Sequence, residues 1–350
     1  MQGTTELNVH RVNMKIAKVR FALAHDASHI LFAAGSWDQL EKNFLTFWST
    51  EKYHIGLPDM TSHYASRMVG KIVHKGEVTD IKFLNENILL STSSHGHLNV
   101  YKYTMKSNES EPGVTSDVYI EYELEELMNK QLHSFPNNIN AEATAIAVQP
   151  NELYDPEILT AGEDGKLVFL RLGNPNDSQI IQVGSFTIKA TIWPSSDQII
   201  TASSSGILKI FDKRNIRKPT FKFYDSAHPR DPVNCLAATS SHIYQVASGS
   251  SDGFVTIWDA RNLTVPWKQF KPDRKTKNVW ELIFDPYDSG KIISCSEDGF
   301  IATTDLKDTS LTEKLTTQNF SINSIDCHQY ARILVGGGDS AYIFTGELNL

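Results

Sequence analysis

A short unit of three strands recurs along this chain, and it leaves few folds open. The clearest copy runs His228-Pro-Arg-Asp-Pro-Val-Asn-Cys-Leu-Ala237 and then Gln245-Val-Ala-Ser-Gly-Ser-Ser-Asp-Gly-Phe-Val-Thr-Ile-Trp-Asp259. Apolar runs and alternations over residues 233–237, 244–249 and 254–258 predict three short strands. Asp252-Gly253 makes the tight turn between the last two, where a positive φ is needed and glycine supplies it without steric cost.

Six further stretches match this template. They are Phe32 to Asp38 leading through a longer turn to Phe44–Trp48, His74–Phe83 followed by Ser93–Tyr101, Gly162–Leu170, Ser203–Asp212, Ser294–Asp305 and Leu334–Phe344. Aligning the position of Trp258 gives Trp48, Tyr101, Leu170, Phe211, Trp258, Thr304 and Thr345, with separations of 53, 69, 41, 47, 46 and 41 residues. The short separations match the roughly 40–45-residue period of a WD-type propeller blade. The expectation is therefore an all-β, seven-bladed WD-repeat β-propeller occupying residues 1–350 as a single domain, with residues 104–142 as an insertion between blades 2 and 3.

Such a blade has four strands, yet after the third strand of the last copy only Thr345 to Leu350 remain. The segment Glu6–Val12 alternates like a strand and precedes the first strand of the first copy, at Lys18–Phe21. It is expected to serve as the fourth strand of the last blade, which closes the ring and protects an open sheet edge.

His228, Ser248, Asp252 and Trp258 occupy the spacing of the hydrogen-bonded tetrad of WD repeats. The resemblance implies that the turn Asp holds the His, the His bonds the strand Ser, and the Ser meets the indole N–H. A buried indole needs an acceptor, and a satisfied polar chain rigidifies the blade. The other copies are expected to lack most of this chain, since Leu170, Thr304 and Thr345 carry no indole and His95 stands where the second copy would have Asp.

Composition narrows the function classes. The formal net charge is −8, and the 33 lysines and arginines are scattered rather than striped, which argues against direct nucleic-acid binding. The first residues are polar and no apolar run is long enough to span a bilayer, so neither a secretory leader nor membrane insertion is expected, and the compartment is read as cytosol or nucleus. Cys235, Cys295 and Cys327 are isolated and odd in number and lie in apolar strand patterns, as small core residues do. The sequons at Asn108, Asn176, Asn262 and Asn319 then have no role.

Several motifs invite other chemistry. Gly249-Ser-Ser-Asp-Gly253 fits the G-x-S-x-G nucleophile elbow, but that motif needs a strand–turn–helix and this one crosses a strand–turn–strand. Twelve histidines include no metal-ligand spacing; His95 and His97, the nearest pair, read as turn residues, and no metal, cofactor or small-molecule substrate is expected. Glu121–Glu126 reads as the outer strand of the second blade, and Lys271–Lys277 as a solvated basic loop. An enzymatic propeller would need titratable residues clustered at the mouth of its channel.

The order of the copies, with the long first turn and the irregular last copy, resembles one family: the forty-three-kilodalton WD-repeat nucleoporin of the Y-shaped outer-ring subcomplex of the nuclear pore. The resemblance is carried by Phe32 to Asp38 with Phe47-Trp48-Ser49, by His74 to Asp80, and by Gly162-Glu-Asp-Gly165 and Gly206–Arg214. It continues through Asp252–Arg261, Trp280–Pro286, Cys295–Gly299 and Gly336–Phe344. The 104–142 segment and the 271–277 loop depart from the family pattern.

What the resemblance implies is a non-enzymatic scaffold subunit docked on other nucleoporins, a helical-solenoid scaffold subunit among them. It further implies roles in pore assembly and in nucleocytoplasmic transport of protein and mRNA, and kinetochore association in mitosis. The alternative reading rests on Trp258-Asp259-Ala260-Arg261, which is similar to the box by which some propellers dock on the cullin-4 ubiquitin-ligase adaptor as substrate receptors.

Overall fold

The computed structural model describes residues 7–23, 30–37, 42–54, 62–106, 121–225, 227–239 and 245–348. Seven four-stranded antiparallel sheets make up the described fold. Blade 1 comprises β2 (Ile16–Phe21), β3 (Ile30–Ser36), β4 (Asn43–His54) and β5 (Ser62–His74). Blade 2 comprises β6 (Val78–Phe83), β7 (Ile88–Ser93), β8 (His97–Lys106) and β9 (Glu121–Gln131). Blade 3 has β10 (Ala143–Val148), β11 (Ile158–Gly162), β12 (Lys166–Arg171) and β13 (Asn174–Gln182). In blade 4 the strands are β14 (Ile188–Ser195), β15 (Gln198–Ser203), β16 (Leu208–Asp212) and β17 (Phe221–Phe223). In blade 5 they are β18 (Val233–Ala238), β19 (Gln245–Ser250), β20 (Val255–Asp259) and β21 (Lys268–Phe270). Blade 6 is β22 (Val279–Phe284), β23 (Lys291–Ser296), β24 (Phe300–Asp305) and β25 (Thr312–Thr317).

Blade 7 joins the two ends of the chain. Its own strands are β26 (Ile322–Cys327), β27 (Ile333–Gly338) and β28 (Tyr342–Glu347), and its fourth is β1 (Leu7–Arg11), paired antiparallel with β28 from Leu7↔Gly346 to Arg11↔Tyr342. The innermost strands β2, β6, β10, β14, β18, β22 and β26 neighbour one another in that order and return to β2, so the ring is closed.

Apolar side chains on both sheet faces lock the blades together. Each of seven buried clusters bridges one neighbouring pair: Phe47, Val78, Phe83 and Tyr103 pack between blades 1 and 2, and Ile16, Phe32, Val335 and Ile343 between blades 7 and 1. Burial on both faces explains why the inner strands read as apolar runs rather than strict alternations. Cys235, Cys295 and Cys327 are buried among these residues.

Gly253 has φ 90°, and a Cβ there would sit 1.9 Å from the Thr276 carbonyl oxygen. With each blade's strands lettered a to d from the innermost outward, only glycine lets the b–c turn of blade 5 and the link into blade 6 approach this closely. The equivalent position in blade 7 is Ala341, at φ 57°.

Two expectations need correction. Residues 104–142 are not simply an insertion between blades 2 and 3: residues 104–106 end β8, 121–131 form β9 paired to it, and only 132–142 link the blades, with 107–120 outside the described residues. Among the described residues, the lengthened strands β8 and β9, of 10 and 11 residues, account for part of the long separation. In blade 7 the register pairs Leu334 with Gly346, as Val246 pairs with Trp258, so the Trp258 position is Gly346 rather than Thr345. Thr345 faces the other side of the sheet, because one residue along a strand reverses the side chain.

Candidate functional site

Blade 5 brings its four sequence-marked residues together as two pairs. The Trp258 indole N–H donates to Ser248 Oγ at 2.8 Å with both side chains buried, and Trp258 packs edge-on against Phe223. His228 Nδ1 lies 3.0 Å from Asp252 Oδ2. The Ser248 hydroxyl turns to the Thr256 carbonyl oxygen at 3.5 Å, and His228 is one-third exposed and packs against the Phe254 ring at a 36° tilt.

The more complete polar chains lie in blades expected to lack them. In blade 3 the fully buried His133 bonds Asp164 Oδ1 through Nδ1 and Thr160 Oγ1 through Nε2, both at 2.9 Å. Thr160 stands where blade 5 has Ser248. Burial alone would raise the Asp164 carboxyl; the hydrogen bond and charge of His133, joined by Lys166, outweigh it and bring the group down to about 2. In blade 2, His74 Nε2 meets Ser91 Oγ at 2.8 Å while Nδ1 reaches the Gly76 carbonyl, which replaces the missing turn carboxylate. Burial lowers His74 to about 4, so it is neutral at physiological pH. Blade 1 satisfies its indole differently: Ala34 fills the serine position, and Trp48 Nε1 donates to Thr46 Oγ1 at 3.0 Å.

Sequence reasoning missed the inner wall of the ring. The third residues of β6, β22 and β26 reach across to the next blade. Asp80 Oδ2 accepts the Ile146 amide at 2.9 Å, Glu281 Oε2 accepts the Ile325 amide at 3.0 Å, and Ser324 Oγ accepts the Val19 amide at 3.1 Å. Arg20 occupies the middle of this set, bonded to Glu281 and Ser324 Oγ and 3.5 Å from Asp80. Lys18 adds a contact to Glu281 at 3.3 Å.

Burial would raise Glu281, but Arg20 and Lys18 hold it down at about 2. Burial would lower Arg20, and the carboxylates around it push it above its ordinary value instead. Asp326, which accepts the Phe21 amide at 2.8 Å, is raised because burial dominates. The matching positions in blades 3, 4 and 5 are Ala145, Ala190 and Cys235, so the wall is charged along blades 6, 7, 1 and 2 and apolar along the rest.

A titratable cluster of the kind an enzymatic propeller would need is thus present, yet its carboxylates are occupied by backbone amides of the next blade and by Arg20. Its chemistry is fastening, across the seam where the ring closes. The Gly249–Gly253 motif crosses from β19 into β20, a strand–turn–strand without a helix.

The loops divide by topology between two faces. The a–b and c–d connections expose Leu153, Tyr154, Val265, Trp267, Leu311 and Tyr330; the d–a links on the opposite face expose Ile139, Phe186, Tyr224 and Phe320. Both faces therefore present apolar side chains beside polar ones, as protein-contact surfaces do.

The Lys271–Lys277 loop is anchored rather than simply solvated: Thr276 is buried, Lys271 donates to the Asp252 carbonyl, and Asp273 pairs with Lys314 at 2.5 Å. In the Trp258–Arg261 box, Arg261 folds back on Asp259 through Nε at 2.9 Å and Nη2 at 2.6 Å. Arg214 and Asp212 repeat those contacts at the same distances in blade 4.

The chain is a seven-bladed WD-repeat β-propeller. The family model described as "WD domain, G-beta repeat" matches residues 217–259, from the outer strand of blade 4 through the third strand of blade 5. Over most of its length the chain resembles Nucleoporin Nup43. It is 27% identical to the Mus musculus protein over 306 residues, covering 84% of this chain and 74% of that one. Against the Homo sapiens protein it is 27% identical over 314 residues, covering 87% and 78%.

Proposed function

We propose that this protein is a non-enzymatic scaffold subunit of the nuclear pore, held in the Y-shaped outer-ring subcomplex by docking on other nucleoporins. The observation that carries this reading is similarity to Nup43 over 84–87% of the chain, far beyond a single shared repeat. The fold suits the role: a closed ring with its polar clusters internally satisfied offers two rigid, loop-lined faces. A helical-solenoid nucleoporin is the partner we favour, and pore assembly with transport of protein and mRNA would follow from that position. Kinetochore association in mitosis belongs to the same reading.

Imaging tests the localisation. A fluorescent fusion at the native locus is expected to give a nuclear-rim signal in interphase and kinetochore foci in mitosis. A diffuse signal without a rim would contradict the scaffold role, and a rim without mitotic foci would remove only the kinetochore part.

A second reading, a cullin-4 substrate receptor, draws on the duplicated Asp-x-Arg turns of blades 4 and 5. Its test is recovery of the ligase adaptor from cells and its loss on Arg261→Ala.

A further inference from the structure

Two loops of neighbouring blades are fixed to one another and raise an apolar pair into solvent. Leu153 and Tyr154, on the a–b loop of blade 3, are 86% and 97% exposed, more than any other large apolar side chain among the described residues. The loop beneath them is firmly held. The Gln149 amide donates to the Glu157 carbonyl at 2.9 Å, and the Gly173 amide donates to Asp155 Oδ1 at 3.3 Å. Arg171 donates to the Asp155 carbonyl and to Gln149 Oε1. Asn151 turns the chain at φ 64°, which asparagine tolerates, and Pro156 is buried. Apolar side chains held out by a fixed backbone lose little freedom on binding, and tyrosine is enriched among the residues that dominate interfaces.

The c–d loop of blade 4 joins this surface and gives it a charge. Lys213 reaches Glu157 at 2.7 Å and lies over the Phe169 ring, 3.9 Å from its centroid. Ile216 of the same loop is buried in the core that blades 3 and 4 share. Residues 183–225 hold seven lysines and arginines against three aspartates, in a chain of net charge −8. Arg214 is neutralised by Asp212 and Asp197, whereas Arg217, Lys218 and Lys222 are exposed and have no carboxylate partner among the described residues. Lys222 also stands opposite Lys209 across β16 and β17, a like-charge pair that costs stability unless an anion joins it. An unbalanced basic loop in an acidic chain is complementary to a partner's carboxylates. Glu152 is exposed on the blade 3 side, so those carboxylates belong over blade 4.

We infer that the a–b loop of blade 3 and the c–d loop of blade 4 form one docking surface. On it Leu153 and Tyr154 seat in an apolar recess of an α-helical partner whose carboxylates meet Arg217, Lys218 and Lys222. Helices packed about 8–10 Å apart leave grooves that accept single side chains of this size. The inference rests on the proposed docking to other nucleoporins and says where on the propeller it occurs.

Affinity purification of the tagged full-length chain compares the wild type with three double variants. They are Leu153→Ser with Tyr154→Ser, Arg217→Glu with Lys218→Glu, and Val265→Ser with Trp267→Ser, the last an exposed apolar pair on the c–d loop of blade 5. The first two are expected to lose outer-ring nucleoporins by about tenfold or more and the third to retain them, with all three melting in urea like the wild type. A photoreactive phenylalanine in place of Tyr154 should crosslink to a helical, acidic stretch of the recovered partner. Equal recovery by the wild type and the first two variants, or an equal loss in the third, would overturn this surface while leaving nucleoporin docking in place. Crosslinking to a basic segment or to a second copy of this chain would overturn it as well. Recovery of no outer-ring nucleoporin by the wild type would overturn the docking reading and this inference with it.

Discussion

Replacing Glu281 with Gln removes one buried charge while keeping the shape of the side chain and an acceptor oxygen for the Ile325 amide. Arg20 would then keep Asp80 at 3.5 Å and the nearby Asp326 as its carboxylate neighbours. Removing one partner of a buried ion pair costs roughly 3–5 kcal/mol, and the remaining carboxylates place this case at the lower end, ~3 kcal/mol. Linkage gives a similar figure: bringing Glu281 from 4.5 to about 2 in the folded state corresponds to ~3 kcal/mol at neutral pH.

The sign follows from the direction of that shift. A depressed carboxyl contributes stability fully above its unfolded value of 4.5, and the contribution is lost as pH falls toward about 2. Asp326 titrates in both proteins, so the difference between them isolates Glu281. Equilibrium urea denaturation followed by tryptophan fluorescence should therefore show Glu281→Gln less stable by ~3 kcal/mol at pH 7, with the gap ~2 kcal/mol smaller at pH 3. A difference below ~1 kcal/mol at pH 7, or one undiminished at pH 3, would refute the seam as a stabilising ion pair.

Three further perturbations probe the blades and their closure. Trp258→Ala should cost roughly 3–5 kcal/mol by denaturant melts, more than Thr304→Ala, since it removes a fully buried indole and strands Ser248; equal effects would refute the equivalence of the two positions. Gly253→Ala should destabilise by roughly 1–3 kcal/mol, because a Cβ meets the Thr276 carbonyl and φ is positive, and a neutral result would contradict that turn geometry. Deleting residues 1–14 removes β1 and exposes the edge of β28, so aggregation or loss of the folding transition is expected, and a full-length-like melt would contradict closure by this strand.

The ring, its seven blades and the closing strand were legible because each depends on local signals. Alternation and apolar runs mark the strands, Asp-Gly and Glu-Asp-Gly mark the turns, and outside the first copy a similar turn length spaces the third strands. Polar relays were less legible. The signal for blade 3 was present in His133 and Asp164, but nine residues separate His133 from β10, and Leu170 in place of an indole hid the match. His74 was legible as part of a repeat, not as a donor whose missing carboxylate is replaced by a backbone carbonyl. The Thr345 assignment slipped by one residue because Thr345 and Gly346 give no apolar contrast. Arg20, Asp80 and Glu281 meet only when strands from distant parts of the chain line one channel, and no spacing announces that.

The central claim, a scaffold propeller of the outer-ring subcomplex, is tested most directly by the company the protein keeps. Affinity purification of the endogenously tagged protein with quantitative mass spectrometry should recover outer-ring nucleoporins at near-stoichiometric levels, a helical-solenoid subunit among them. Recovery of no outer-ring nucleoporin, or of the cullin-4 adaptor in their place, would contradict it.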